Sequence, residues 1–318
     1  MTRNLISKIN KNGTNKTGRF FLLILLIIVL IFNIFSALIV SAETADIKNG
    51  DSKTVFVNDK ASIDFTNSNE TGTVKINTVS KFEKKVKVTI IKNEEDSLTY
   101  TYDLKNDMTV ETYPLQMGDG EYIVKVWFQI EDIIYSLGMT GRYAVMLADI
   151  RAPFLSSNQY VNYSEDSKIV KIAAELTKDC ASELEMVEEI YKFVIHNIEY
   201  DAHKAATVQS GYLPSADEIV DTGMGICIDY AAVFAAMLRS VNIPAKLVTG
   251  HVEPDDIYHA WNEFYIKDTG GQFKTNKVKF DGKKFERVDP TFDSASRSSE
   301  EVLQFINDDT NYRKFREY

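Results

Sequence analysis

The sequence predicts an α+β chain: an antiparallel β-sandwich, then a unit whose helices come first and whose antiparallel sheet follows, all behind an apolar N-terminal helix. Three observations carry this. From Thr54 to about Leu147, short runs alternate in polarity or are rich in β-branched and aromatic residues, with turn signals between them. After Pro153 the apolar spacing becomes helical, and strand-like runs return only after Pro244. Before all of this, the first 42 residues contain no acid, and a basic stretch leads into a long apolar one.

Taken in order, the N-terminal segment carries Arg3, Lys8, Lys11, Lys16 and Arg19 and then the apolar run Phe20–Val40. Basic residues ahead of such a run describe an export signal, and this one is also long enough to span a bilayer. "VSAE" at Val40–Glu43 offers small residues for cleavage after Ala42. Residues 1–42 are therefore read as a cleaved signal peptide or a retained transmembrane anchor. Both place the basic end in the cytoplasm and the remainder outside. An acid-free basic flank does not suit the alternative of a buried core helix. Five of the chain's 36 basic residues lie in this segment, so the other 31 face 46 acidic residues, a net charge of about −15. That balance excludes nucleic acid as a partner, since phosphate binding needs a basic footprint. At 318 residues, the chain has room for about two domains.

Residues 43–54 read as a polar linker. Within the β region, Lys85–Ile91, Ser97–Leu104 and Glu121–Ile130 are the clearest strands, and Asn67–Gly72, Lys92–Asp96 and Gly118–Gly120 supply turns. Residues 43–150 are expected to form a sandwich of immunoglobulin-like size. No cluster of acids, histidines or cysteines stands out there, so a spacer or binding module is expected.

Ile169, Ile172, Ala173 and Leu176 fall at helical spacing. Ser182–Glu185 ("SELE") reads as a capping box opening a second helix, with Leu184, Val187, Ile190, Tyr191 and Val194 as its buried stripe. Ala202–Ser210 reads as a polar stretch. Asp229–Ser240 reads as a third helix, preceded by Gly223 and Gly225 and stopped before Pro244. Ala245–Val252, His259–Ile266 and Lys283–Phe292 are strand-like, with a hairpin signal at Asp281–Gly282. Residues 151–293 make up this unit, and 294–318 read as a Ser-rich, then charged and weakly helical tail.

The chemistry turns on Cys227, one of two cysteines. A nucleophilic cysteine must be a thiolate, which a helix N-terminus and a neighbouring imidazole both favour. Cys227 stands where the third helix begins. Taken alone it reads more readily as a packing residue, since free cysteine is often buried and inert; a Cys180–Cys227 bridge is also open. Of the four histidines, His196 and His203 suit surface or cap roles, and His251 starts a loop. His259 begins a strand that would lie beside Lys283–Phe292, where Asp289 could orient its ring. Cys227, His259 and Asp289 are then nucleophile, base and orienting carboxylate. Zinc spacings and phosphate-binding glycine loops are absent, so neither metal nor cofactor is expected.

Three blocks carry a resemblance. "GICIDYAAVFAAMLRSVNIPAKLVTG", "YHAWNEFYI" and "FERVDPTFD", with "HNIEYD" ahead of them, are similar to the transglutaminase-like superfamily over about residues 153–293. The resemblance implies a papain-like α+β fold with Cys227, His259 and Asp289 in the roles just given. It also implies acyl transfer through a cysteine thioester, hydrolytic or amine-transferring, on a protein or peptide substrate, here of the cell envelope. Two departures bear on this. Ile228, followed by Asp229, stands where many eukaryotic transglutaminases carry Trp, which weighs on crosslinking. An insertion at Lys267–Lys279 lengthens a hairpin near the cleft. Tyr212 is considered as a second oxyanion donor, and Tyr258 and Trp261 as cleft walls or packing residues. A non-catalytic surface protein that only binds through such a domain is the alternative, and membrane contact is expected through residues 20–40 if the segment is not cleaved.

Overall fold

The computed structural model describes residues 54–93, 98–267 and 282–318. The N-terminal segment, residues 94–97 and most of the insertion, with Asp281, lie outside the described residues. Residues 53–318 form one compact unit.

The first part is built of β1 (Val55–Val57), β2 (Ala61–Asp64), a single helical turn α1 (Ser68–Thr71), β3 (Thr73–Thr78), β4 (Val86–Lys92), β5 (Thr99–Leu104), β6 (Glu111–Pro114), β7 (Gly120–Glu131) and β8 (Ile134–Val145). These strands make two four-stranded antiparallel sheets, in the orders β1-β2-β3-β6 and β5-β4-β7-β8. Side-chain alternation puts Val86, Val88 and Ile90 of β4 and Tyr100, Tyr102 and Leu104 of β5 in the core. The two sheets share that core. Phe65 stacks on Tyr143 at 5.2 Å, and Tyr102 meets Tyr113 at 5.1 Å. A Cβ on Gly141 would come within 3.1 Å of Phe56 and 3.2 Å of Ile63, so glycine there lets β1 and β2 lie close to β8.

A short 3-10 turn at Ala152–Leu155 leads into α2 (Lys168–Thr177), α3 (Glu183–Asn197), β9 (Glu199–Tyr200), α4 (Ala202–Thr207), α5 (Ala216–Thr222), β10 (Met224–Gly225), α6 (Cys227–Ser240), β11 (Ala245–Val252), β12 (Ile257–Phe264), β13 (Glu286–Val288), α7 (Pro290–Ser296), α8 (Glu300–Asn307) and β14 (Tyr312–Glu317). The strands β13-β12-β11-β14 form an antiparallel sheet, and β9 pairs in parallel with β10. Helix α6 is the centre: every residue from Asp229 to Arg239 is buried. It packs on β11 and β12 on one side and on α2, α3 and α5 on others. Removal from water of side chains such as Phe234 and Leu238 contributes about 1.5–3 kcal/mol each. Arg239 is buried among carbonyls. It donates to Ala245 O at 2.8 Å, Ser156 O at 2.6 Å and Tyr318 O at 2.6 Å, and burial pulls its guanidinium down to about 10.

Helices α2, α3 and α6 and strands β4, β5, β7 and β11 lie where the sequence predicts them, to within a residue or two. The capping box of α3 is rearranged: the Ser182 hydroxyl accepts from Glu185 N–H, but Glu185 reaches back to Ala181 N–H rather than to Ser182. Other elements differ from expectation. The polar stretch after Asp201 holds α4, which buries none of its residues and so shows no apolar stripe; Asp201 caps it by accepting from Lys204 N–H. The strand expected over 283–292 is three residues long, because Pro290 has no N–H for a ladder and Asp289 caps α7 instead. Residues 294–318, read as a tail, complete α7 and add α8 and a fourth sheet strand, β14. Among the described residues, no helix is long and apolar enough to cross a membrane.

Candidate active site

Cys227 is the first residue of α6, where N–H groups have no acceptor within the helix and the dipole is positive. That start is fixed by Asp229, one turn in. Its Oδ2 accepts from Ile226 N–H at 2.9 Å, the reciprocal half of a capping box. Asp229 is fully buried, and two further donors hold it: Lys204 Nζ at 2.6 Å and the Tyr212 hydroxyl at 2.7 Å. A Cβ at Gly225 would lie 2.7 Å from Asp229 Cβ, so only glycine admits this carboxylate under the turn. Both cysteines are free thiols, and Cys227 is partly buried.

His259 lies on β12, opposite Gly250 of β11. Pairing of Asn262 with Val288 sets β13 beside β12 and brings Asp289, the next residue, to the histidine. The His259 Nε2 and Asp289 Oδ2 are 2.8 Å apart, both residues being buried. Cys227, at the start of α6, is near enough to the ring to act on it electrostatically. Burial alone would push the imidazole down. The Asp289 charge and hydrogen bond outweigh burial, Cys227 adds to them, and the ring is pushed up to about 10. Phe292 stacks flat on it at 4.3 Å. Asn262 ties the strand to the helix, donating to Ala231 O at 2.9 Å and Lys246 O at 3.0 Å.

The structure thus bonds His259 to Asp289, with Cys227 acting on the ring from the start of α6. The Tyr212 hydroxyl is committed to Asp229 and Lys204, so it serves the helix start rather than an oxyanion. Trp261 is buried, packed on Tyr312 with Val248 and Val252; Tyr258 is exposed beside His251. His196 and His203 are exposed on α3 and α4. Sequence reasoning did not find Tyr312, whose hydroxyl also donates to Asp289 Oδ2 at 2.9 Å, nor the Lys204–Asp229 pair. An acid two residues after the cysteine was the available sign for Asp229; Tyr312 offered none. Tyr200 of β9 stands near the thiol: burial raises its phenol, and the charge of Cys227 raises it further. Among the described residues, no group of three or more His, Cys, Asp or Glu side chains could hold a metal ion.

Residues 170–290 match the family model described as Transglutaminase-like superfamily, so this stretch of the chain is similar to that family. The match, with the geometry above, supports a thiol enzyme. No curated protein matches the chain. Among solved structures, it is similar to a Cytophaga hutchinsonii protein provisionally described as a cysteine protease, at 17% identity and TM-score 0.39, over 77% of this chain and 76% of that one. It is also similar to red sea bream transglutaminase, at 12% identity and TM-score 0.33, over 77% of this chain and 57% of that one. LapG of Legionella pneumophila aligns at 13% identity and TM-score 0.27, over 47% of this chain and 83% of that one.

Proposed function

We propose that the chain is an exported thiol enzyme that attacks peptide or protein amides and passes the acyl group through a cysteine thioester. One observation carries the reading: a buried imidazole is bonded, at 2.8 Å, to a buried carboxylate, and a thiol at a helix start acts electrostatically on that ring. Cys227 Sγ, its proton passed to His259 Nδ1, attacks the amide carbonyl carbon. The carbonyl oxygen becomes an oxyanion facing the Cys227 N–H. Tyr200, half-exposed beside the thiol, is our candidate for a second donor. Collapse of the intermediate breaks the C–N bond, and His259 delivers the proton to the departing amine. Water or a second amine then gives its proton to His259, attacks the thioester carbon and frees the thiol.

The remaining assignments belong to the same reading. The two-sheet part, 43–150, is an immunoglobulin-sized sandwich acting as spacer or binding module. Residues 151–293 are the catalytic domain, and 1–42 direct export and, if retained, anchor the chain in the membrane through 20–40. The substrate is protein or peptide, of the cell envelope. The test is alkylation by iodoacetamide at neutral pH. Cys227 is expected to react faster than a free thiol, and His259→Ala to abolish that advantage. If neither holds, the enzyme reading falls and a domain that only binds takes its place. A glutamine donor offered with a fluorescent amine then separates the outcomes: amine incorporation marks transfer, and fragment release alone marks hydrolysis.

A further inference from the structure

We infer that Tyr312, carried by the last strand β14, is a positioning residue of the thiol site. It locks the Asp289 carboxylate in one orientation and, through it, the His259 ring. The inference rests on the reading of Cys227, His259 and Asp289 as an acyl-transfer set, and adds to it a residue beyond the 170–290 stretch.

Asp289 is fully buried, and each of its oxygens is doubly engaged. Oδ1 accepts the Thr291 and Phe292 N–H groups at 3.2 and 3.1 Å; Oδ2 accepts His259 Nε2 at 2.8 Å and the Tyr312 hydroxyl at 2.9 Å. The backbone pair fixes one oxygen. Without Tyr312 the other would be held by the histidine alone, and the carboxylate could turn with the ring. The Tyr312 ring is itself fixed. It meets Trp261 edge-on at 5.0 Å, and the Arg287 guanidinium lies over it at 4.2 Å. The backbone is arranged to admit it: a Cβ at Gly250 would lie 2.3 Å from Arg313 O and 2.7 Å from Trp261, so β14 reaches this register only against glycine. Ladder pairing of β11 with β14 is irregular at this point, between Thr249 and Gly250.

The far end of the same strand is fastened to the first part of the chain. Glu317 N–H donates to the Tyr100 hydroxyl at 3.2 Å, Arg316 reaches Thr99 O at 3.4 Å, and Tyr318 packs edge-on against Tyr100. Strand β14 therefore runs from the β5 edge of one sheet to the acid of the site. A packing residue would need only its ring here; the hydroxyl aimed at a buried carboxylate oxygen is what packing does not require. The groups that act directly on the histidine are Asp289, the N-cap of α7, and Cys227 from α6; around Asp289 in turn stand Asp293 from α7, Tyr191 from α3 and Tyr312 from β14, with Arg287 from β13 over the tyrosine ring. Tyr312→Phe changes none of their charges at neutral pH.

The test compares wild type, Tyr312→Phe and His259→Ala in the full chain. Removal of one hydroxyl donor to a carboxylate is expected to slow iodoacetamide alkylation of Cys227 at pH 7 about tenfold. The Asp289 charge, no longer shared with the hydroxyl, is expected to draw the His259 proton more strongly and raise its NMR titration midpoint by about half a pH unit. The ring packing stays, so the thermal midpoint should move by only a few degrees. Unchanged alkylation and titration in Tyr312→Phe, with His259→Ala still slow, overturn the inference and leave the thiol reading standing. If His259→Ala is as fast as wild type, the thiol reading itself fails. Should Tyr312→Phe not fold, the wild type decides: a slowly exchanging Tyr312 hydroxyl proton close to the His259 Nε2 proton supports the inference, and its absence overturns it.

Discussion

Asp289→Asn is the substitution whose consequence the geometry fixes most narrowly. Asn caps helices about as well as Asp, so its side-chain oxygen is expected to keep the Thr291 and Phe292 N–H groups. Its NH2 then points where Oδ2 accepted from His259 Nε2 and from Tyr312. Two donors now face a donor. The ring relieves the clash only by taking the tautomer with bare Nε2, which puts the proton on Nδ1, toward Cys227, where an acceptor is needed. The charge argument runs the same way. In the wild type the imidazole is pushed from 6.5 to about 10, a rise worth about 5 kcal/mol, and burial acts against it. With the carboxylate gone, burial is opposed only by Cys227, and the ring's midpoint falls well below its wild-type value. At pH 7 the wild-type ring is an imidazolium near the sulfur, and the variant ring holds its proton far more weakly. Loss of that neighbouring cation is expected to slow alkylation about tenfold or more. The assay is the second-order rate of Cys227 with iodoacetamide at pH 7, with His259 followed by NMR. A folded variant that reacts within twofold of wild type, or whose His259 is still charged at pH 8, refutes the reasoning.

Three further outcomes are expected. Arg239→Met leaves three carbonyls without their donor, although it also removes a buried charge; a cost of about 2–4 kcal/mol is expected in urea unfolding, and a neutral result would mean that water replaces the guanidinium. Lys204→Met leaves the buried Asp229 carboxylate without its cation and loosens the turn before Cys227; about 3 kcal/mol of stability and a slower alkylation rate should go together, and loss of neither would show that Tyr212 and Ile226 suffice. The His259 proton also links stability to pH. Its folded value, about 10, lies above the unfolded 6.5, so its contribution is full below 6.5 and is lost as pH rises through 10. Unfolding midpoints should therefore fall over that range, and fall less steeply in Asp289→Asn.

Cys227, His259 and Asp289 were each legible as types in a pattern: a thiol at a helix start, a histidine opening a strand, an acid before a proline. Local rules sufficed because each residue is placed by its own element, and the order of the three blocks matched a family. Helix α4 escaped because it buries nothing, and β13 was overestimated because an N-cap aspartate followed by proline ends a ladder that composition alone would extend.

The sequence by itself determined most of the elements and singled out Cys227, His259 and Asp289 as candidates, since periodicity, capping and turn chemistry act over a few residues. Only the tertiary structure decided that Tyr312, 23 residues after Asp289, shares its acceptor with His259. The same holds for Lys204 and Tyr212 closing on Asp229, and for the last strand entering the sheet at Gly250. These contacts join groups that no local period relates. They form because a buried carboxylate must find its donors wherever the packed chain brings them.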